Sequence, residues 1–109
     1  MKFIKVASVD ALRPGKMIKV ALENTPVLLA NLGGVFYAME DTCPHMGGSL
    51  SAGKLEGHNV VCPRHGSVFD VTTGKAVSSG KLLFIPAKIH DLKSYTVKVE
   101  GADILLGDG

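Results

Sequence analysis

Cys43-Pro44-His45-Met46-Gly47-Gly48 and Cys62-Pro63-Arg64-His65-Gly66-Ser67 are the two stretches on which the reading of this chain turns. Each sets one soft thiolate and one imidazole in a short loop that carries glycine within two residues of its histidine. Sixteen residues separate His45 from Cys62, and the 109-residue chain has no other cysteine than Cys43 and Cys62. In a reducing compartment such a pair serves more often as metal ligands or catalytic thiols than as a structural disulfide.

Outward from the loops, the sequence reads as strands and turns. Phe3 to Ala7 has strand composition; Ser8 to Leu12 reads as a short turn with a capping residue before the Pro14-Gly15 stop; Met17 to Leu22 is a second strand. Pro26 to Leu32 is an apolar run that turns at Gly33-Gly34 and returns as Val35 to Met39, just ahead of the first loop. Leu55 to Val61 gives a turn and a short strand running into Cys62, and Val68 to Val71 leaves the second loop and turns at Thr72 to Lys75. Strand-turn units are thus expected to deliver both loops from the same end of a small sheet. Ser78 to Pro86 is read as an apolar segment shielding the loops. Ser94 to Glu100 alternates and turns through Glu100-Gly101-Ala102-Asp103 into Ile104 to Leu106. No helix-period segment of useful length and no repeat is visible, so the class is all-β, mostly antiparallel, with many short strands.

Length points to one domain over residues 1–109, able to bury roughly 65% of the surface of its unfolded chain. An apolar fraction of 46% and a charged fraction of 20% are ordinary for a globular protein, and the 13 glycines fit many turns. The net charge of +2 comes from interspersed signs, which gives no nucleic-acid surface. Lys2 and Lys5 interrupt the N-terminal apolar residues, and no apolar run reaches membrane-spanning length, so a soluble cytoplasmic protein is expected.

Several metals suit a set of two cysteines and two histidines. A zinc site is chemically sound, and a zinc-bound interaction module without redox function is one reading. Zinc-finger spacing, however, pairs Cys with Cys and His with His, whereas each loop here mixes the two. Mixed loops suit a binuclear cluster in which each loop touches both metals.

At this point the chain resembles the Rieske-type ferredoxins, over nearly its whole length. The resemblance implies an antiparallel β sandwich or barrel with a small cluster-binding subdomain at about residues 41–86. It implies one 2Fe-2S cluster per chain, with Cys43 and Cys62 on the inner iron and His45 and His65 on the outer one through Nδ1. The formally neutral oxidised cluster accepts an electron more readily than an all-cysteine one, which places such centres at about −150 to +300 mV against about −400 mV. Respiratory and photosynthetic relatives carry a further cysteine in each loop, joined as a disulfide; Gly48 and Arg64 hold those positions here. High-potential members also direct a serine hydroxyl to a bridging sulfide and a tyrosine hydroxyl to a cysteine sulfur. Ser67 keeps the first donor and Phe69 lacks the second, so the implied potential lies below that of the quinol-oxidising complexes.

The imidazole edges at the loop tips would be the point of electron entry and exit, framed by Met46, Gly47, Arg64 and Pro86 as a small transient docking patch. The implied role is a monomeric one-electron carrier between a flavin-dependent ferredoxin reductase and a terminal oxygenase, as in aromatic-ring dioxygenase systems, with no turnover of its own. A Rieske-like small subunit of an assimilatory nitrite reductase is the rival role. Oxygenase ferredoxins usually lead into the last hairpin by a short proline-containing segment; Gly80 to Asp91 is longer and carries only Pro86. Outside the loops, His58 and His90 read as surface residues, Met17 and Met39 as core, Tyr95 and Phe36 as half-buried strand residues, and Asp70 as the partner of a turn.

Overall fold

Glu23 and Asn24 both have positive φ, 50° and 81°, the backbone that a tight two-residue hairpin requires. They join β2 (Met17–Leu22) to β3 (Thr25–Leu32). Gly33-Gly34, with φ of 63° and 99°, repeats the device between β3 and β4 (Val35–Glu40). The resulting meander keeps strict register from Leu22↔Thr25 to Met17↔Ala30 and from Leu32↔Val35 to Val27↔Glu40. The computed structural model describes residues 2–44, 47–64, 66–78 and 90–107.

β1 (Phe3–Ser8), β9 (Ser94–Glu100) and β10 (Asp103–Gly107) complete an antiparallel sheet of order β1-β10-β9-β4-β3-β2. β4 meets β9 at Ala38↔Tyr95 and Met39↔Ser94, a short join between the two hairpins of the sheet. β1 and β2, the ends of that order, come into contact, and the sheet is nearly a closed barrel. The second sheet, of order β5-β6-β7-β8, is built from strands of three residues each: β5 (Lys54–Glu56), β6 (Asn59–Val61), β7 (Val68–Asp70) and β8 (Ala76–Ser78).

β3 explains how the two sheets share a core. Val27 and Leu29 point into the barrel with Leu12, Leu22, Ala38, Ile104 and Leu106. Leu28 and Ala30, on its other face, join Met39, Leu50, Val60, Phe69, Val71 and Leu92 beneath the small sheet. A strand covered on both faces reads as an unbroken apolar run, and Pro26-Val27-Leu28-Leu29-Ala30 is that run.

Most expected strands are present, and three readings need correction. The first loop does not come from the small sheet: it leaves β4 of the large sheet, and only the second is a hairpin of the small one. Ser8 starts a 3₁₀ turn over Val9–Ala11 but makes no side-chain cap. The strands β5 and β8 and a 3₁₀ turn over Leu50–Ala52 add to the expected elements, because three residues are too few to show a period. Residues 79–89, Pro86 included, lie outside the described residues, and with them most of the segment read as shielding the loops; so do His45, Met46 and His65.

Candidate metal centre

Cys43 and Cys62 occupy the same place in two hairpins of the same design. In the first, Cys43 N–H donates to Gly48 O at 2.8 Å and Gly47 N–H donates to Cys43 O at 2.9 Å. In the second, Cys62 N–H donates to Ser67 O at 2.8 Å and Gly66 N–H donates to Cys62 O at 3.0 Å. Gly47 and Gly66 reach the left-handed region, with φ of 68° and 76°, which glycine adopts without steric penalty. The two hexapeptides quoted at the outset therefore correspond residue for residue in their closing hydrogen bonds, although their histidines fall at different offsets, third in one and fourth in the other.

Both thiols sit at the hairpin roots in one buried cluster, 1% and 2% exposed, and neither is in a disulfide. The described tip residues Pro44, Gly47, Pro63 and Arg64 are exposed. Buried sulfur donors at the root and open chain at the tip fit a metal group held by thiolates inside and by other donors outside.

The two loops touch where the respiratory relatives would be cross-linked. Gly48 is buried, and a Cβ placed on it would lie 3.1 Å from Arg64 Cγ and 3.2 Å from Arg64 Cδ. The aliphatic stem of Arg64 therefore rests on the backbone of the other loop. Ser67 and Phe69 are fully buried. Phe69 lies in the core cluster that contains both thiols.

Two further anchors were not singled out in the sequence. Asp41, 1% exposed, accepts Ser49 Oγ–H at 2.6 Å and Ser51 N–H at 2.7 Å. Gly53 packs so tightly on the carbonyl of Val61, the residue before Cys62, that an added Cβ would collide with it. An acid shortly before Cys43, next to a second one at Glu40, was the only available signal for Asp41; a close approach such as Gly53 leaves none.

Asp70, at the far end of β7, serves its turn as expected. Its Oδ1 accepts Thr72 N–H at 2.9 Å and Thr72 Oγ1–H at 2.6 Å, with His58 Nδ1 at 3.4 Å. Burial pushes this carboxyl up, but the Thr72 hydrogen bonds and His58 together hold it below the usual carboxylate range. His58 and His90 are exposed, Met39 is core, and Met17, Phe36 and Tyr95 are half-buried.

Comparison with known proteins agrees with this geometry. The family model of the Rieske [2Fe-2S] domain matches residues 2–96. The ferredoxin component of biphenyl 2,3-dioxygenase from Rhodococcus jostii (strain RHA1) is 39% identical, over 97% of this chain and 92% of that protein. The ferredoxin of carbazole 1,9a-dioxygenase from Nocardioides aromaticivorans IC177 is similar in structure at a TM-score of 0.85 with 27% identity, over 97% of each chain. A chain in the complex of reduced oxygenase and oxidised ferredoxin of carbazole 1,9a-dioxygenase gives a TM-score of 0.82 with 33% identity, over 95% of this chain and 91% of that one. As the family model runs from the first strand into the ninth, the chain belongs to the Rieske [2Fe-2S] domain family.

Proposed function

We propose that this chain is the ferredoxin of an oxygenase system, a one-electron carrier that receives an electron from a flavin-dependent reductase and delivers it to a terminal oxygenase. The observation that carries the reading is the pair of matching hairpins, each planting one buried cysteine at its root. When bound, a Rieske-type 2Fe-2S cluster supplies reversible one-electron transfer at a potential of about −150 to +300 mV. Cys43 and Cys62 would hold its inner iron, and His45 and His65 its outer one.

The chain's own residues do the rest. The buried core around Cys43 and Cys62 keeps water from the sulfur side, which leaves the loop tips as the route for the electron. Arg64 and Gly47 are exposed there; these two and Met46 are the residues proposed for docking, with Arg64 supplying a cation for an acidic partner surface. Gly48 and Phe69 would border the centre, and Ser67 would tune it through its hydroxyl. As a ferredoxin component it passes the electron on and has no substrate turnover of its own. The protein works as a monomeric cytoplasmic component, with one cluster in the part spanning about residues 41–86.

Iron and zinc content, together with the EPR spectrum after dithionite reduction, tests the reading. Two irons per chain and a rhombic signal of low average g are expected; zinc without a signal, in protein made with ample iron, overturns it. Protein-film voltammetry of Ser67→Ala checks the tuning: its potential falls below that of the parent, and an unchanged value removes Ser67 from that role. Reduction of the loaded protein by a flavoprotein reductase, and its reoxidation by an aromatic-ring oxygenase, identifies the partners.

A further inference from the structure

We propose that Asp41 is a positioning residue for the first hairpin: its buried carboxylate does there what a strand ladder does for the second. The inference rests on the reading that the two hairpins hold the cluster. Below Cys62 the second hairpin continues into paired strand, Val61↔Val68, Val60↔Phe69 and Asn59↔Asp70. Below Cys43 there is one bridge, Thr42↔Ser49, and then the returning chain turns away into the 3₁₀ turn of Leu50–Ala52. Asp41 is left facing a turn instead of a strand.

Its side chain closes that gap. Oδ2 accepts the Ser49 hydroxyl at 2.6 Å and Oδ1 accepts Ser51 N–H at 2.7 Å, while its carbonyl accepts Leu50 N–H at 2.8 Å and its own N–H donates to Pro26 O at 3.2 Å. Ser51 N–H belongs to the opening of a 3₁₀ turn, where backbone donors lack partners within the turn. Ser49, at the cap position, makes no side-chain cap of its own; the Ser51 N–H goes to Asp41 Oδ1 instead. A single carboxylate therefore caps the turn from outside and fixes both arms of the hairpin that carries Cys43.

Asp41 is 1% exposed and, among the described residues, pairs with no Lys, Arg or His side chain. Both of its oxygens accept from neutral donors, and the group is buried two residues from Cys43. As a carboxylate it opposes the addition of an electron to a metal held by that cysteine. Removing the charge while keeping the shape should raise the potential, and removing the hydrogen bonds should loosen the loop.

The test compares the loaded parent with Asp41→Asn, Asp41→Ala and Ser49→Ala. It reads iron transfer to a ferrous chelator, reduction potential by film voltammetry, and amide exchange at Leu50 and Ser51. Loss of hydrogen bonds to a charged group speeds local opening by about tenfold or more, so Asp41→Ala should release iron and exchange both amides at least about tenfold faster. Ser49→Ala should do so by about threefold with the potential unchanged, and Asp41→Asn should raise the potential while partly restoring retention. Parental release together with parental potential in Asp41→Asn overturns the proposal. Should Asp41→Ala not fold, parental release in Ser49→Ala and parental exchange in Asp41→Asn overturn it equally. If the parent holds no iron, the cluster reading fails by itself, and the exchange rates still decide whether Asp41 fixes the hairpin.

Discussion

The two hairpins close in the same way and are anchored differently. Each uses a cysteine N–H to bond a carbonyl five residues on and a left-handed glycine to return to the cysteine carbonyl. Beneath them, one root is a three-rung ladder of the small sheet, and the other is a single bridge backed by a buried carboxylate. Local hydrogen bonds thus set the shape of a ligand loop, while the fold supplies its stiffness by whatever means are at hand. A third element, Gly53, is seated on the carbonyl next to Cys62 and brings the return of the first loop against the strand that leads to the second.

Gly53→Ala should have the largest effect. Its Cβ would fall on Val61 O, a backbone atom that cannot turn aside, so the return of the first loop and the strand leading to the second must separate. A loss of about 3 kcal/mol is expected in urea unfolding, with faster iron loss; parental stability would mean that the two loops do not depend on that contact. Next in size come Gly47→Ala and Gly66→Ala, each forced into the left-handed region at a cost of about 2 kcal/mol. Equal losses sharpen the equivalence of the hairpins, and a clear difference breaks it.

How far these features could be read from the residues differs between the two roots. The apolar run of β3 and the Gly33-Gly34 turn are local signals, and both elements were legible. The cysteine loops were legible as chemistry, since mixed Cys and His within each hexapeptide favoured a binuclear centre. That the first loop hangs from the large sheet was not, because β4 joins that sheet partly through Ser94 and Tyr95, more than fifty positions along the chain. Asp41 looked like ordinary loop polarity, for nothing in Asp41-Thr42-Cys43 says that Ser49 and Ser51 return to it. Strands of three residues such as Ala76–Ser78 are held by register with a neighbour, and a register is invisible in one strand.

Asp70 offers a smaller test, confined to the second root. Its folded carboxyl titrates below the ordinary value of 3.8, so its contribution is fully present above the unfolded carboxylate pKa and is lost as pH falls through the lower, folded one. Asp70→Ala, which leaves Thr72 N–H without its acceptor, should be less stable than the parent by about 1.5 kcal/mol near neutrality. The gap should narrow as urea unfolding is repeated from about pH 6 down to about pH 3. A gap independent of pH would assign the loss to packing and not to the charged hydrogen bonds. Iron retention at the first hairpin should change little, because Asp70 stands on the strand beyond the second.

The smallest effect is expected at Gly48, and it bears on how the loops meet. Gly48 is not in the left-handed region, and what a new Cβ would touch is the stem of Arg64, at 3.1 Å and 3.2 Å from Cγ and Cδ. A flexible side chain can swing away where a carbonyl cannot, so Gly48→Ala should cost under about 1 kcal/mol, far less than Gly53→Ala. Arg64→Ala removes the obstacle, and a double-mutant cycle should then show coupling of about 0.5 kcal/mol or more, the signature of two residues in contact. Coupling in stability together with a matching change in iron release would make Arg64 a noncovalent brace between the hairpins, at the positions where relatives carry a disulfide. Additive effects would leave Arg64 to the docking edge alone, with Asp41 fixing the first loop and Gly53 holding it against the second.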